Sequence, residues 1–384
     1  MKPKIILYLF LTVYFTFFSC ISEKKNETDL LQFDISASYP EKEIKLEEIA
    51  DIEYLQLEVN EGFLFYNSNW TIVASSKIII FNRGDGDILI FSRDGKPISG
   101  FNHKGNGPEE YVEMLGVIYD EISDEFFITS LNKIAVYSVS GDFKRFIPLL
   151  NTYNNYIVNF DTNTLLLYDE DNKYPSPFTF ISKEDGNVVD IVDMPKDKEV
   201  ITYIMHQTLT NNVVTRLNVI RRPEYHFVKH NNGYLLTDFS IDTVFYLSEK
   251  KELYPILVRK PAIQSMDPII YMNSFVETSN YEFVSAVTVR EENMSLPVSY
   301  LVRDKNTESV YRQKITFNDY RGKEITISPV TIANTQDSKL GLIVLSLVEL
   351  QDANRENKLS GRLKELVDDS EEDGNDIFML LHFK

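Results

Sequence analysis

Cysteine is nearly absent from this chain of 384 residues, in which Cys20 stands alone. A single thiol cannot form an intramolecular disulfide, so stability has to come from a buried core, for which the chain is long enough. Basic residues are also few, because 39 Lys and Arg stand against 58 Asp and Glu, a formal net charge of −19. This acidity argues against nucleic acid as a partner, since phosphate backbones are repelled.

A long apolar run occurs only at the beginning of the chain. Two lysines precede the run from Ile5 to Phe18, which is shorter than the roughly 20 residues of a membrane span and typical of a signal peptide. The run ends at Ser19-Cys20, where a small residue precedes the only thiol. We predict a lipoprotein signal peptide over residues 1–19, an acylated Cys20, and a flexible tether over residues 20–30. An ordinary secretory signal that ends by chance at a cysteine is the alternative.

The predicted anchor also indicates where the protein resides. Several acyl chains on Cys20 give durable membrane attachment, whereas one chain would be marginal. Ile21 follows Cys20 in place of the aspartate that tends to retain lipoproteins in the inner membrane. We therefore expect a lipoprotein of the cell envelope that is attached to the outer membrane. Whether its body faces the periplasm or the outside is left open.

Short strand patterns with turn signals repeat along the chain. Lys77–Phe81 and Asp87–Phe91 are joined by a segment with two glycines, which predicts a hairpin. The same pattern returns at Glu125–Thr129 and Ile134–Tyr137, about 46 residues later when measured from Phe91 to Tyr137. Fainter copies follow at Leu165–Tyr168 with Phe178–Ile181 and Val188–Val192, at Gly233–Leu236 with Val244–Leu247, and at Tyr281–Val289 with Val298–Val302 and Val310–Ile315.

Repeats of four short strands at this spacing predict an all-β fold of the propeller type. A sandwich would need fewer strands, and a parallel α/β fold would need helices between the strands. One late charged helix is predicted from Leu347 to Val367, with a break near Asn357 or Gly361. A last strand, Ile377–Phe383, is expected to close the ring by joining the sheet built from the other end of the chain.

Two segments resemble a known family. Ile88–Lys96, together with Gly105–Tyr111, is similar to the six-bladed β-propeller lipoproteins of Gram-negative bacteria, which are related in shape to NHL and TolB-type propellers. The resemblance implies a single propeller over residues 31–384 with six blades of four antiparallel strands, although spacing alone leaves seven or eight blades open. The function of that family is generally unassigned. Glu109 stands where the family often has a third glycine.

The segment that carries the resemblance also supplies the candidate ligand loop. Its residues are Gly105, Gly107, Glu109, Glu110 and Tyr111. A plain connection between two blades is the alternative interpretation of this segment. Two glycines between polar residues are common in either role.

Motifs that carry chemistry are scarce. Nucleophile-elbow, zinc-protease and phosphate-loop patterns do not occur. His226 and His230 form the only close histidine pair, which we interpret as isolated, partly exposed side chains. Residues 369–374 are acidic, but Leu380 stands where a calcium loop that starts at Asp369 needs glutamate. No motif requires a cofactor, and calcium is compatible with the acidity but unsupported.

Two functions remain open. The first is a noncatalytic binding or scaffolding propeller at the envelope that holds a glycan, a peptide or a partner protein. The second is a hydrolase or lyase with an acidic site at the mouth of the propeller channel, with or without a metal. Fold alone does not decide between them, because function depends on the site.

Overall fold

The computed structural model describes residues 30–60, 62–63, 65, 70–150, 155–169, 173–194, 203–210, 213–221, 226–238, 240–290, 296–333 and 335–384. The predicted signal peptide, Cys20 and the tether up to residue 29 lie outside the described residues.

The elements follow one another in a repeating order. The chain begins with β1 (Leu31–Asp34), β2 (Glu41–Lys45), the helix α1 (Leu46–Ile49) and β3 (Ala50–Gln56). Blade 1 consists of β4 (Trp70–Val73), β5 (Lys77–Phe81), β6 (Asp87–Ser92) and β7 (Pro97–Asn102). Blade 2 consists of β8 (Gly116–Asp120), β9 (Glu125–Ser130), β10 (Lys133–Ser138) and β11 (Phe143–Pro148). Blade 3 consists of β12 (Asn155–Asn159), β13 (Thr164–Asp169), β14 (Phe178–Ser182) and β15 (Val188–Ile191).

The second half adds helices to the same plan. A two-stranded hairpin, β16 (Tyr203–Thr210) and β17 (Val213–Arg221), precedes blade 4. Blade 4 consists of β18 (Phe227–His230), β19 (Gly233–Leu236), β20 (Thr243–Leu247) and β21 (Leu253–Lys260). Blade 5 consists of β22 (Ile270–Glu277), β23 (Tyr281–Thr288), β24 (Val298–Asp304) and β25 (Val310–Thr316). The last elements are β26 (Glu324–Ile325), α2 (Pro329–Ala333), β27 (Leu340–Leu345), α3 (Leu347–Arg355), α4 (Gly361–Asp369) and β28 (Ile377–Phe383).

Each blade is an antiparallel meander in which every strand pairs with its neighbour in the chain. The middle strands are buried on both faces, which explains why they read as continuous apolar runs; Thr164–Asp169 is buried at every position. The opening segment adds a parallel strand to the outer edge of two blades, β1 beside β21 and β2 beside β25. These additions cover two sheet edges that would otherwise be unpaired.

Apolar clusters join the sheets into a ring. Separate clusters fill the spaces between blades 1 and 2, between blades 2 and 3, and between blades 3 and 4, while the largest cluster spans blades 4 and 5 and a further sheet. That further sheet also packs against blade 1 through Phe378 and Leu380, which meet Ile78 and Ile80. Burial between neighbouring sheets is therefore continuous around the molecule. The prediction of an all-β propeller is confirmed.

The further sheet, here called the closing sheet, consists of β27, β28 and β3. The terminal strand β28 pairs antiparallel with β3 from Ile377 opposite Gln56 to Phe383 opposite Ala50. The predicted closure by the terminal strand is therefore confirmed. The predicted count of six four-stranded blades is wrong, because the described residues form five blades of four or more strands and the closing sheet has only three.

The missing strand of the closing sheet has a physical reason. In the other blades, the fourth strand is the one that leads into the next blade, and in the closing sheet β3 has this position because it leads into blade 1. Its neighbour β28 is then the third strand and β27 the second. The position of the first, innermost strand has no strand. The chain before β27 instead forms α2, which begins at Pro329. Proline has no N–H for a sheet and suits the first turn of a helix. Thr331 closes this turn, since its N–H donates to the carbonyl of Ser328 at 3.0 Å.

The late helical segment is two helices rather than one. Helix α3 ends at Arg355, and α4 begins at Gly361. Asn357 and Gly361 have φ angles of 55° and 56°, which explains the interruption that the sequence indicated. Among the described residues, no helix combines the length and hydropathy that a membrane span requires.

An ion pair is buried between blades 2 and 3. The Lys183 amine lies 2.7 Å from a carboxylate oxygen of Asp120, and both side chains are almost completely inaccessible. Asp120 also accepts hydrogen bonds from Ser123 and Asn159. Burial raises the pKa of Asp120, but Lys183, the Ser123 hydroxyl and the backbone N–H of Ile122 outweigh it and hold the pKa below its ordinary value.

Removing the lysine should leave an uncompensated buried charge. We expect Lys183→Met to lower the free energy of unfolding by about 3–5 kcal/mol at neutral pH. Lys144, exposed in β11 and outside any ion pair within the described residues, supplies the control Lys144→Met. The contribution of the pair is present above the ordinary aspartate pKa of about 3.9 and is lost as pH falls through the lowered folded pKa. Urea unfolding of both variants from pH 7 to pH 3 measures it, and equal stabilities would contradict the assignment.

Candidate ligand-binding face

The centre of the ring is occupied by the segment that runs from α2 to β27. The first strands of neighbouring blades contact one another there, as β8 does with β12 and β18 with β22. Helix α2 contacts β18 and β22, while Thr335 forms a parallel bridge to Val73 of β4. Gln336 donates its backbone N–H to Val73 at 3.0 Å and its side-chain amide to the carbonyl of Tyr119 at 2.6 Å. The described residues of this segment, 329–333 and 335–339, are here called the channel segment.

Thr335 holds the channel segment in shape. Its hydroxyl lies 2.6 Å from the carbonyl oxygen of Leu340, 2.9 Å from that of Asp337 and 3.0 Å from that of Ile332. The side chain is buried, and its one hydrogen is best placed for the nearest acceptor, the carbonyl of Leu340, because the carbonyls of Ile332 and Asp337 also accept the backbone N–H groups of Thr335 and Leu340. The loop that follows is therefore fixed at the end of the channel.

A cavity of about 820 Å³ opens between the channel segment and two turns of blade 4. One wall is the turn from β18 to β19, and another is the turn from β20 to β21. The lining residues are Lys229, Asn231, Asn232, Tyr246, Ser248, Glu249, Lys250, Glu252, Gln336, Asp337, Ser338 and Lys339. Eleven of the twelve are polar or charged, so the cavity suits a hydrated, hydrogen-bonding ligand.

The two turns are held by their own local contacts. Asn231 has a φ of 48°, and a Cβ on Gly233 would collide with the carbonyl of Leu247, so glycine is required where the turn meets β20. In the second turn, the Lys251 N–H donates to the carbonyl of Ser248 at 2.9 Å. The Ser248 hydroxyl accepts the N–H of Glu252 at 3.2 Å. The walls are thus formed before any ligand arrives.

Lys229 lies half-buried at the inner side of the cavity. Its amine is 4.6 Å from the centre of the Tyr234 ring, and burial lowers the pKa of this lysine. The next residue, His230, has its Nε2 3.7 Å from Glu277, which also pairs with Lys305 at 2.6 Å. Burial also lowers the pKa of His230.

The predicted ligand loop lies elsewhere, in the connection from β7 to β8. Glu110 folds back and accepts the N–H of Gly107 at 2.6 Å, and a Cβ on Gly105 would collide with this carboxylate. Tyr111 is buried and donates to the carbonyl of Gly86 at 2.8 Å, in a turn at the opposite end of the strands from the cavity side. Glu109 is exposed, and its carbonyl accepts the Tyr137 hydroxyl. These contacts suit a blade connection.

The histidines differ from their interpretation as isolated, partly exposed side chains. His226 is buried, and its ring stacks on Tyr168 at a centroid distance of 3.7 Å. Its Nδ1 lies 3.2 Å from the carbonyl oxygen of Thr237. The interpretation is therefore wrong for His226, which is part of the packing between blades 3 and 4. Within the described ranges, no three His, Cys, Asp or Glu side chains are grouped as metal ligands would be.

The ring of blades defines a β-propeller protein. The chain belongs to the family described as Domain of unknown function (DUF4934), which it matches over residues 30–382. No curated protein matches the chain.

Two solved structures are similar to this chain. A Bacteroides fragilis NCTC 9343 protein described as exported is 16% identical, with a TM-score of 0.62, and the match covers 92% of this chain and 99% of that chain. This likeness supports the fold. A member of the DUF4221 family from Bacteroides vulgatus ATCC 8482 is 11% identical, with a TM-score of 0.47 and coverage of 88% and 98%.

The role of Thr335 can be tested by removing its hydroxyl. We expect Thr335→Val to lower the free energy of unfolding by about 1–3 kcal/mol, because the buried carbonyl of Leu340 loses its donor. Thr326→Val, at an exposed threonine before α2, is the matched control and should change stability little. Thermal and urea unfolding measure both. Equal stabilities would show that the channel segment does not depend on this hydroxyl.

Proposed function

We propose that this protein is an envelope-anchored, noncatalytic propeller that binds a glycan in the cavity between blade 4 and the channel segment. The observation that carries the proposal is the lining itself. Three side-chain amides, two hydroxyls and three carboxylates surround a single aromatic ring, that of Tyr246. Sugar hydroxyls both donate and accept hydrogen bonds, as amides and hydroxyls do, and an aromatic face suits the apolar side of a sugar ring.

A peptide or a partner protein fits this lining less well. Peptide-binding grooves take side chains into apolar pockets or pair the backbone with a free strand edge. The cavity instead presents turn residues and the loop of the channel segment. Protein interfaces have an apolar centre, which Tyr246 alone would have to supply.

The anchored location rests on Cys20. The apolar run that ends at Ser19-Cys20 supports lipidation of this thiol and attachment to the outer membrane. The Bacteroides fragilis protein of similar fold, described as exported, is consistent with an envelope location. An acyl anchor would keep the binding face at the membrane without a spanning segment.

Binding can be tested with the full-length protein in detergent against a glycan array, followed by calorimetric titration. We expect Asn232→Ala, which removes an exposed amide from the cavity, to weaken binding by about two- to tenfold, because one net hydrogen bond contributes about 0.5–1.5 kcal/mol. Asn306→Ala, in an exposed turn of blade 5, should leave affinity unchanged. Absence of glycan binding would overturn the proposal, and release of shortened sugar products would overturn its noncatalytic part.

The anchor is tested by Cys20→Ser expressed in a Gram-negative host. The wild type should incorporate labelled palmitate and sediment with the outer membrane, because the thiol carries the acyl chains. The variant should lose the label and leave the membrane fraction. Ser22→Ala, two residues further on, is the control that should retain both properties. A labelled or membrane-bound serine variant would contradict lipidation at this position.

A further inference from the structure

Three lysines line the cavity, although the chain as a whole is strongly acidic. They are Lys229 from β18, Lys250 from the β20–β21 turn, and Lys339 from the channel segment. None of the three ammonium groups forms an ion pair with another described residue. Lysines close by do, since Lys251 lies 4.0 Å from Asp190, and Lys305 pairs with Glu277 at 2.6 Å. These amines are therefore not held in direct ion pairs, although the lining also carries the three carboxylates of Glu249, Glu252 and Asp337, so that its formal charge is zero.

The cavity carboxylates keep their negative charges but form no direct ion pair with these amines among the described residues. An Asp337 oxygen accepts the backbone N–H of Lys339 at 2.9 Å and so caps its own turn. A Glu252 oxygen accepts the hydroxyl of Tyr254 at 2.6 Å, outside the lining. Glu249 is exposed at the tip of the turn. The three amines are thus available to pair directly with a ligand carboxylate, while Glu249 is available to accept hydrogen bonds from a ligand.

Lys229 gives the strongest indication of an anionic ligand among the three lysines because it is half-buried. An ammonium partly withdrawn from water is unfavourable unless an anion accompanies it, and its position beside the Tyr234 ring supplies only a weak substitute. Burial accordingly lowers the pKa of this lysine. A ligand carboxylate in the cavity would supply the missing counter-ion and reverse that shift.

We propose that the cavity recognises glycans with a carboxylate-bearing sugar residue, with Lys229 pairing to the carboxylate and with Lys250 and Lys339 adding to the attraction. This rests on the proposed glycan-binding function and narrows its ligand class. A long polyanion is disfavoured by the net charge of −19, so the ligand is a short acidic segment held locally. The amides and hydroxyls of the lining then bind the sugar hydroxyls.

The test uses the full-length protein in detergent with tetragalacturonide as the acidic probe. Its carboxyl-reduced derivative, which has the same rings without the charge, is the neutral probe. We expect the acidic probe to bind about tenfold more tightly at low salt, with the difference shrinking as salt is raised. Lys229→Met should remove most of this difference by lowering the affinity for the acidic probe more than the affinity for the neutral probe.

Lys133 provides a matched control. It is also half-buried, its amine lies 3.5 Å from the centre of the Phe146 ring, and burial lowers its pKa as well, but it does not line the cavity. Lys133→Met should leave both affinities unchanged. Lys250→Met, at an exposed turn position, should lower the affinity for the acidic probe more than that for the neutral probe, and it serves as a second variant in case Lys229→Met is unstable.

The pKa of Lys229 can also be measured directly. In a nuclear magnetic resonance titration of the Lys229 side chain, its pKa should rise when tetragalacturonide is added and stay unchanged with the neutral probe. Equal affinity for the two probes, with Lys229→Met silent, would overturn the carboxylate inference while leaving glycan binding intact. Failure of both probes and of all array glycans would instead overturn the proposed function and this inference with it.

Discussion

Pairing of β28 with β3 is the interaction on which the rest of the ring depends. It joins residues that are more than 300 positions apart in the chain; for example, Met379 lies opposite Tyr54. Strand β28 is buried from Ile377 to Leu381, and the side chains on its two faces belong to different apolar clusters. The pairing with β3 therefore fixes the contacts of the closing sheet both with blade 1 and with blade 5. No disulfide assists this closure, since the chain has a single cysteine.

The closing sheet also explains why the candidate site exists. Because this sheet has no first strand, the chain before β27 is available to enter the middle of the ring. Its contacts with Val73 and Tyr119 fix the channel segment against two blades, and the loop it presents forms one side of the cavity. The position that breaks the repeat of the fold is therefore the position where the candidate binding cavity lies.

Much of the fold could be predicted from local signals. The hairpin of blade 1 follows from two apolar runs joined by a glycine-containing turn, in which Gly86 has a φ of 90°. Between their third and fourth strands, blades 1 and 2 also turn at glycines of positive φ, Gly95 and Gly141. Blades 4 and 5 were fainter because the equivalent turns use Lys251 and Glu308, which adopt positive φ without being glycine. The cavity could not be predicted, because Asn232 and Gln336 meet only through the tertiary arrangement of the ring.

In blades 2 and 3, the turn between the third and fourth strands packs against the blade that precedes it in the chain. Gly186 of blade 3 rests on the end of β11 in blade 2, near enough that a Cβ would strike the carbonyl of Pro148, and Gly141 rests likewise on Phe101 of blade 1. Each of these blades therefore docks onto one synthesised before it, so assembly can follow the chain as it leaves the ribosome. Strands β1, β2 and β3 are exceptions, since their partners β21, β25 and β28 come later in the chain, and β28 arrives only with the last residues. Until then the growing protein is an open arc, with the apolar surfaces at its two ends exposed to other chains.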